Sequence, residues 1–310
     1  METKRIGSLE VSLVGLGCNN FGGRIDEART NDVVRAALDA GITLFDTADI
    51  YGGGGASEEL LGRALGSRRD EVVLATKFGM EMPNGSKGGA PAYVRAACEA
   101  SLQRLGTEVI DLYQLHTPDD ETPIADTLDA LDELVREGKV REIGCSNLSA
   151  AQADEAMAAS QERGLARFVV LQNELSLLKR EGERDIDEMW ARHGLPLLPY
   201  FPLASGLLTG KYSSTTEIPE GTRLASVPAE RRQKTLNEAN LEIVERLRAF
   251  AEDRGHTLLE LAISWLASMD NVASVIAGAT RPEQVHANVA AAGWILTPDE
   301  RAEIDVITQR

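Results

Sequence analysis

Leu44-Phe45-Asp46-Thr47-Ala48-Asp49-Ile50-Tyr51-Gly52 places a carboxylate and a phenol five residues apart, where an apolar strand gives way to a glycine-rich loop. A phenol in such a place could work as an acid. An ordinary tyrosine has a pKa of about 10 and holds its proton at neutral pH, so it needs charged neighbours. Two candidates follow: Lys77 ends the β-branched run 71–77, and His116 ends the apolar run 109–116. All three segments are short apolar strands that finish on a polar, ionisable residue. As parallel neighbours in one sheet they would bring those ends to one rim. Taken alone, each residue has an ordinary structural use: a helix cap, a packed ring, a solvated strand end, a satisfied core histidine. The grouping on successive strand ends is what points to chemistry.

The elements that must hold these residues can be read from the same pattern. A hairpin is expected over 5–11, turning at Gly7-Ser8, and Val14-Gly15-Leu16-Gly17 reads as the first core strand. A helix follows, with Thr30 as its cap, Val33, Val34, Ala37 and Leu38 on its buried face, and Gly41 at its end. Further strands are expected near 43–47, 71–76, 109–115, 140–145, 168–172, 196–201 and 273–277, which makes eight with the first. Pro123 opens a helix carrying Ile124, Leu128, Leu131 and Leu134 and closed by Gly138, and Ser149 with Gln152 fits a capping box. Alternating strand and helix, repeated eight times, predicts an α/β fold: a (β/α)8 barrel in a single domain over 1–310, with an N-terminal hairpin and long loops on the catalytic face. A doubly wound dinucleotide fold fits less well, because Gly15-Leu16-Gly17-Cys18-Asn19-Asn20 carries Asn where its third glycine belongs. Two loops depart from the rhythm, 80–90 and 213–234. Each follows a strand, so each belongs on the catalytic rim.

Bulk properties narrow the function. The net charge of −17, from 32 basic and 49 acidic residues, argues against nucleic-acid binding and against an anionic membrane surface. It leaves room for an anionic cofactor held by local donors. Cys18, Cys98 and Cys145 have neither metal-ligand spacing nor the number for a disulfide framework. With no signal-like N-terminus and no run of 18 apolar residues, a cytoplasmic protein is expected, with no metal and no membrane partner.

The strings LFDTADIYGGGGASEELLGRAL, VVLATKFG, IDLYQLHTPD, IGCSNLS, VVLQNELSLL, LPYFPLASGLLTGKY and ASVIAGATRPEQV occur in an order that resembles the aldo-keto reductase family along nearly the whole chain. The resemblance implies a nicotinamide cofactor and reversible carbonyl reduction. It matches Asp46, Tyr51, Lys77 and His116 to the family's catalytic set, with Tyr51 as proton donor. The chemistry fits: a nearby Lys77 would lower the pKa of Tyr51, Asp46 would keep Lys77 charged, and His116 would orient the carbonyl oxygen. Ser146, Asn147 and Gln172 match residues that bind the nicotinamide carboxamide, and Tyr200 matches the ring stacked on it.

Phosphate binding has its own physical argument. Leu203, Ser205 and Gly206 follow the seventh strand in a run of small residues, and Pro282 starts a helix after the eighth, where barrels commonly hold phosphate. Lys211 could assist or be solvated. In the last loop, with Gly278 and Thr280, the resemblance shows departures. Gly278 stands where many NADP-dependent members have lysine, and Gln284 where many have arginine. Arg281 remains as a clamp for a 2′-phosphate, so NADP is favoured and NAD stays possible. Gln284 and Asn288 are expected near the adenosine end. Cys18, like Trp265, is expected in the core; Asn20 lies near the substrate mouth; Met80, Met82 and Trp294 could line a pocket or fill space.

The leading expectation is an NADP(H)-dependent reductase of aldehydes or ketones acting on a small-molecule carbonyl substrate. An NAD-dependent sugar or alcohol dehydrogenase of the same fold is the near alternative. Some members resembling this chain are cofactor-sensing regulatory subunits of membrane channels, which gives a third. No motif in the chain specifies the substrate or the oligomeric state.

Overall fold

The computed structural model describes residues 1–309. Strands β1 (Thr3–Ile6) and β2 (Leu9–Ser12) form the antiparallel hairpin, with Ile6 opposite Leu9 across the Gly7-Ser8 turn. Its apolar face, Ile6, Leu9 and Val11, is buried against Leu44, Ala75, Leu112, Val170, Leu198 and Ala273 from the inside of the main sheet. Each such fully buried side chain contributes about 1.5–3 kcal/mol. The hairpin therefore plugs the barrel.

The main sheet is parallel and comprises β3 (Val14–Gly17), β4 (Leu44–Asp46), β5 (Val73–Phe78), β6 (Ile110–Leu115), β7 (Val140–Ser146), β8 (Phe168–Gln172) and β9 (Val275–Gly278). Their order is β8-β7-β6-β5-β4-β3-β9. Strands such as β3 and β6 are buried at every position, as expected when helices cover one face and the barrel interior the other. The gap between β8 and β9 is spanned by the segment around 197–200. Leu197 bridges Leu171 and Val272, and Tyr200 bridges Glu174 and Ile276. The Leu198 N–H donates to the Leu171 carbonyl at 2.8 Å, and the Ala273 N–H to the Leu197 carbonyl at 2.9 Å. The result is a (β/α)8 barrel in which the expected seventh strand forms isolated bridges instead of a ladder. Pro196, Pro199 and Pro202 explain this, because proline has no N–H to give to a neighbour.

Helix boundaries follow local chemistry with one correction. The first helix, Glu27–Asp39, is capped by Asp26, whose side chain accepts from the Arg29 N–H at 3.0 Å. Thr30 lies inside the helix and its hydroxyl donates to the Asp26 carbonyl at 2.8 Å. A carboxylate one turn earlier satisfies the free N–H groups first. Pro123 precedes the helix Ile124–Arg136, and Ser149 with Gln152 forms a reciprocal capping box on Ala150–Arg163. Of the two long loops, 213–234 folds in part, into a short turn at Leu224–Ser226 and the start of the helix Ala229–Thr235. No helix among the described residues is long and apolar enough to cross a membrane.

Candidate active site

The parallel register sets Asp46 beside Ala75 and Lys77 beside Gln114, so the ends of β4, β5 and β6 meet on one rim. Lys77 is fully buried. Its ammonium donates to Asp46 Oδ2 at 2.6 Å and to the Thr47 carbonyl at 2.8 Å, and lies 5.3 Å from the centre of the Tyr51 ring. The His116 ring meets Tyr51 edge to face, 5.6 Å between centres. The second oxygen of Asp46 accepts from Gln172 Nε2 at 2.9 Å and Gln114 Nε2 at 3.3 Å. Thus the four residues expected from sequence converge, and two buried amides complete the carboxylate's shell.

Tyr51 is presented by a tight glycine turn. Gly52 has φ +71°, and a Cβ there would lie 2.9 Å from the Phe21 carbonyl oxygen; Gly55 has φ +114°, and a Cβ there would strike the Arg104 side chain. Only glycine tolerates both the backbone conformation and the crowding.

Electrostatics modify one expectation. Burial opposes the Lys77 ammonium, but Asp46 and Tyr51 outweigh it, and the lysine pKa is raised. For Tyr51, burial pushes the phenol up and outweighs the pull of Lys77, with Asp46 adding to the rise; the net shift is upward, not downward as expected. The tyrosinate would lose more hydration than one ammonium, itself paired with Asp46, restores. Burial, then Lys77, drives the His116 pKa down to about 3, so its imidazole is neutral at physiological pH. Its Nδ1 is buried without a hydrogen-bond partner.

The remaining predicted residues line the same cleft, of about 1300 Å³. Ser146 ends β7 and donates to the Gln172 carbonyl at 2.7 Å. Asn147 has φ +62°, donates to the His116 carbonyl at 2.9 Å and accepts from the Tyr200 hydroxyl at 2.8 Å. Gln172 turns its amide nitrogen to Asp46, a bond the sequence did not suggest. Burial, with Glu174 and Tyr51, pushes the Tyr200 phenol up to about 12. Leu203, Ser205 and Gly206 line the wall after the seventh strand, with Ser205 at φ +57° and Gly206 at φ +96°. The Lys211 ammonium lies directly over Gly206, where a Cβ would come within 2.7 Å of it. Burial lowers the Lys211 pKa, and Arg24 and Arg281 add to this, so the three cations share one region. Gly278 ends β9, and a Cβ there would sit 3.3 Å from Asn20 Nδ2. Thr280 donates through its N–H and hydroxyl to Gln284 Oε1 at 2.8 and 3.0 Å. Arg281 caps the helix Pro282–Ala290, which carries the buried Asn288.

Sequence reasoning missed Arg24, Asn19, Phe201 and Arg223, which also line the cleft. Asn19 and Phe201 lie just after strand ends, which was the available signal, whereas Arg24 and Arg223 lie further along their loops, where no local pattern marks them. Met80 and Cys18 reach the cleft, Cys18 with its thiol fully buried, whereas Trp294 packs between His256 and Phe250 and Trp265 is in the core.

The model of the aldo/keto reductase family matches residues 13–309. The chain belongs to the aldo-keto reductase family. A protein of Arabidopsis thaliana named "Probable voltage-gated potassium channel subunit beta" is 35% identical over 321 aligned positions, covering 100% of this chain and 97% of the relative. One of the same name from Oryza sativa subsp. japonica has the same identity and coverage. Aldo-keto reductases are oxidoreductases that generally use NADPH or NADH. The cleft fits such a dinucleotide on three counts. Its volume exceeds the range of about 300–1,000 Å³ that holds a drug-sized ligand. Lys211, Arg281 and Arg24 bring positive charge to the wall in a chain of net charge −17. The glycine at 206 lets the Lys211 ammonium lie against the backbone of that wall, where a Cβ would come within 2.7 Å of it.

Proposed function

We propose that this aldo-keto reductase, acting as a single barrel domain, is an NADP(H)-dependent reductase of aldehydes or ketones with Tyr51 as general acid. The observation that carries the reading is the buried Lys77 ammonium, held by Asp46 and set beside the Tyr51 ring. Neutral His116 offers a hydrogen bond to the carbonyl oxygen without competing as a proton source. Tyr51 then passes its phenolic proton to that oxygen, and Lys77 stabilises the phenolate that remains. The chemistry that a reduced nicotinamide would supply, when bound, is the hydride for the carbonyl carbon, which with the proton from Tyr51 would give the alcohol. The raised pKa of Tyr51 keeps the proton in place until charge builds on the substrate oxygen, so the stabilisation is specific to the transition state.

Asn147 and Ser146 are suited to the carboxamide and Tyr200 to the ring of the nicotinamide. Gln172 would contribute to that end while keeping Asp46 in place. Leu203, Ser205, Gly206 and Lys211 would surround the pyrophosphate; Gly278, Thr280, Gln284 and Asn288 would border the adenosine end. Arg281 would clamp the 2′-phosphate, which favours NADP over NAD. A carbonyl panel of aromatic aldehydes, dicarbonyls, open-chain sugars and pyridoxal, assayed with NADPH and NADH, tests this reading. We expect turnover with a higher kcat/KM for NADPH; a strong preference for NADH would remove Arg281 from its role and favour the dehydrogenase alternative.

The names of the two plant relatives support a second reading, in which the barrel serves as a cofactor-sensing subunit of a membrane channel. Co-purification with a channel protein, together with no turnover across the panel, would favour it.

A further inference from the structure

Ser57 lies in the first turn of the helix Ala56–Leu65, yet both bonds of its fully buried hydroxyl leave that helix for the barrel. It donates to the carbonyl of Cys18, just past β3, at 2.8 Å. It also lies 2.8 Å from the hydroxyl of Thr47, just past β4 and equally buried. A serine has one hydroxyl hydrogen, so Thr47 is the donor of this second bond. Among the described residues, no other two buried hydroxyls are bonded to each other.

These bonds close a ring behind the Asp46–Lys77 pair. The Cys18 N–H donates to the Asp46 carbonyl at 2.8 Å, the Cys18 carbonyl accepts from Ser57, Ser57 accepts from Thr47, and Thr47 follows Asp46 in the chain. Both members of that dipeptide receive the Lys77 ammonium, Asp46 through Oδ2 at 2.6 Å and Thr47 through its carbonyl at 2.8 Å. An ammonium has three hydrogens, so two fixed acceptors aim the third. That third hydrogen is the one left to meet Tyr51, whose ring centre lies 5.3 Å from Nζ. The next residue of the helix, Glu58, holds the neighbouring strand: it accepts from the Thr76 hydroxyl at 2.5 Å and is anchored by Arg104 at 2.6 Å. Thr76 precedes Lys77, and side chains alternate along a strand, so the grip on β5 comes from the face opposite the ammonium. Stability does not call for the Ser57–Thr47 pair, because replacing two bonded polar groups by apolar ones of the same shape is nearly neutral. Without Ser57 the Cys18 carbonyl would still accept from the Phe21 N–H, at 3.0 Å.

We infer that Ser57 is a positioning residue for proton transfer: through the Thr47 hydroxyl it fixes the Thr47 carbonyl, and through that carbonyl the direction from which the Lys77 ammonium meets Tyr51. The inference rests on the proposed role of Tyr51. Ser57 touches neither the cleft nor the reacting atoms, so its effect falls on the transition state, where the phenolate forms, and not on the binding of cofactor or aldehyde.

Ser57→Ala and Thr47→Val each break the chain of hydroxyls with little change of shape. In NADPH-dependent aldehyde reduction each should lower kcat by about 10–100-fold, the cost of a small misplacement, with KM for the aldehyde and Kd for NADPH unchanged. Thr47→Ser keeps the hydroxyl and should restore most of the rate. The double variant Ser57→Ala/Thr47→Val leaves neither hydroxyl unmatched and should lose no more than the larger single loss, because both changes break one chain. The magnetic-resonance signal of the Lys77 ammonium in isotope-labelled protein, identified by its absence in Lys77→Arg, supplies a readout apart from turnover. Its hydrogens should exchange slowly in the unaltered protein and faster in Ser57→Ala and Thr47→Val. Unchanged kcat with unchanged exchange overturns the inference. So does a loss that Thr47→Ser shares, or one accompanied by weaker NADPH binding and lower folding stability, which would make Ser57 a structural residue only. No turnover of any aldehyde by the unaltered protein would refute the reductase reading, and the exchange rates would then decide the inference alone: faster exchange in the two variants sustains it and equal exchange refutes it.

Discussion

Asp46 and Asp49 are three residues apart and almost equally buried, on opposite sides of the loop that carries Tyr51, and they have met different fates. Asp46 has a cation of its own, Lys77 at 2.6 Å, and two amides besides. Asp49 has none. Arg104, the cation nearest it, is committed to Glu58 Oε2 at 2.6 Å, while Thr76 donates to Glu58 Oε1 at 2.5 Å. Neither Asp49 oxygen has a well-formed hydrogen bond, although the Tyr93 hydroxyl and the Ile50 N–H lie close. Burial, reinforced by Glu58, therefore pushes the Asp49 carboxyl up to about 7. Burial alone does not make a charged catalytic site; a dedicated partner does. On the cleft side the ion pair is kept, and behind it two carboxylates share one arginine and the pKa of one of them is raised.

The contrast can be broken from the cleft side with the larger effect. Lys77→Met removes the ammonium and leaves Asp46 buried without its cation, which should cost about 3–5 kcal/mol of stability. It should also lower kcat for carbonyl reduction by about 10²–10⁴-fold. Urea unfolding and NADPH oxidation read the two effects separately; a stable, fully active variant would show that the pair serves neither purpose.

From the other side the effect is smaller and reversed in sign. The folded-state pKa of Asp49, about 7, lies above its ordinary 3.8, so the folded protein binds the extra proton between these values. Stability then falls as pH rises from about 4 to 7, and the full penalty is present at pH 8. Asp49→Asn removes that titration. Its stability relative to the unaltered protein should improve from pH 5 to pH 8 by on the order of a few kcal/mol. No change between the two pH values would mean that Asp49 ionises without cost.

Much of this arrangement was legible because strand ends are marked by composition. Asp46, Lys77 and His116 each close an apolar run, and a parallel barrel brings such ends together whatever else varies. Pro282 and the Ser149–Gln152 box marked their helices through local bonds that need no tertiary context. What escaped was set by distant partners. The seventh strand reads as apolar, but Pro196 and Pro199 reduce it to bridges. Thr30 was a plausible cap until Asp26 took the role. The direction of the Tyr51 shift depends on how completely the ring is buried. The charge of Asp49 is decided by Arg104, fifty-five residues away in sequence and already spoken for by Glu58. Loops and networks of this kind are fixed by packing, and single-residue patterns do not carry them.

The central claim, that Tyr51 supplies the proton, is tested most directly by single-turnover oxidation of bound NADPH on mixing with an aldehyde, for the unaltered protein and for Tyr51→Phe, from pH 6 to 9. The raised pKa of the phenol predicts a rate in the unaltered protein that is flat over this range. Tyr51→Phe should be slower by about 10²–10⁴-fold with NADPH affinity retained. An unchanged rate in Tyr51→Phe would contradict the account.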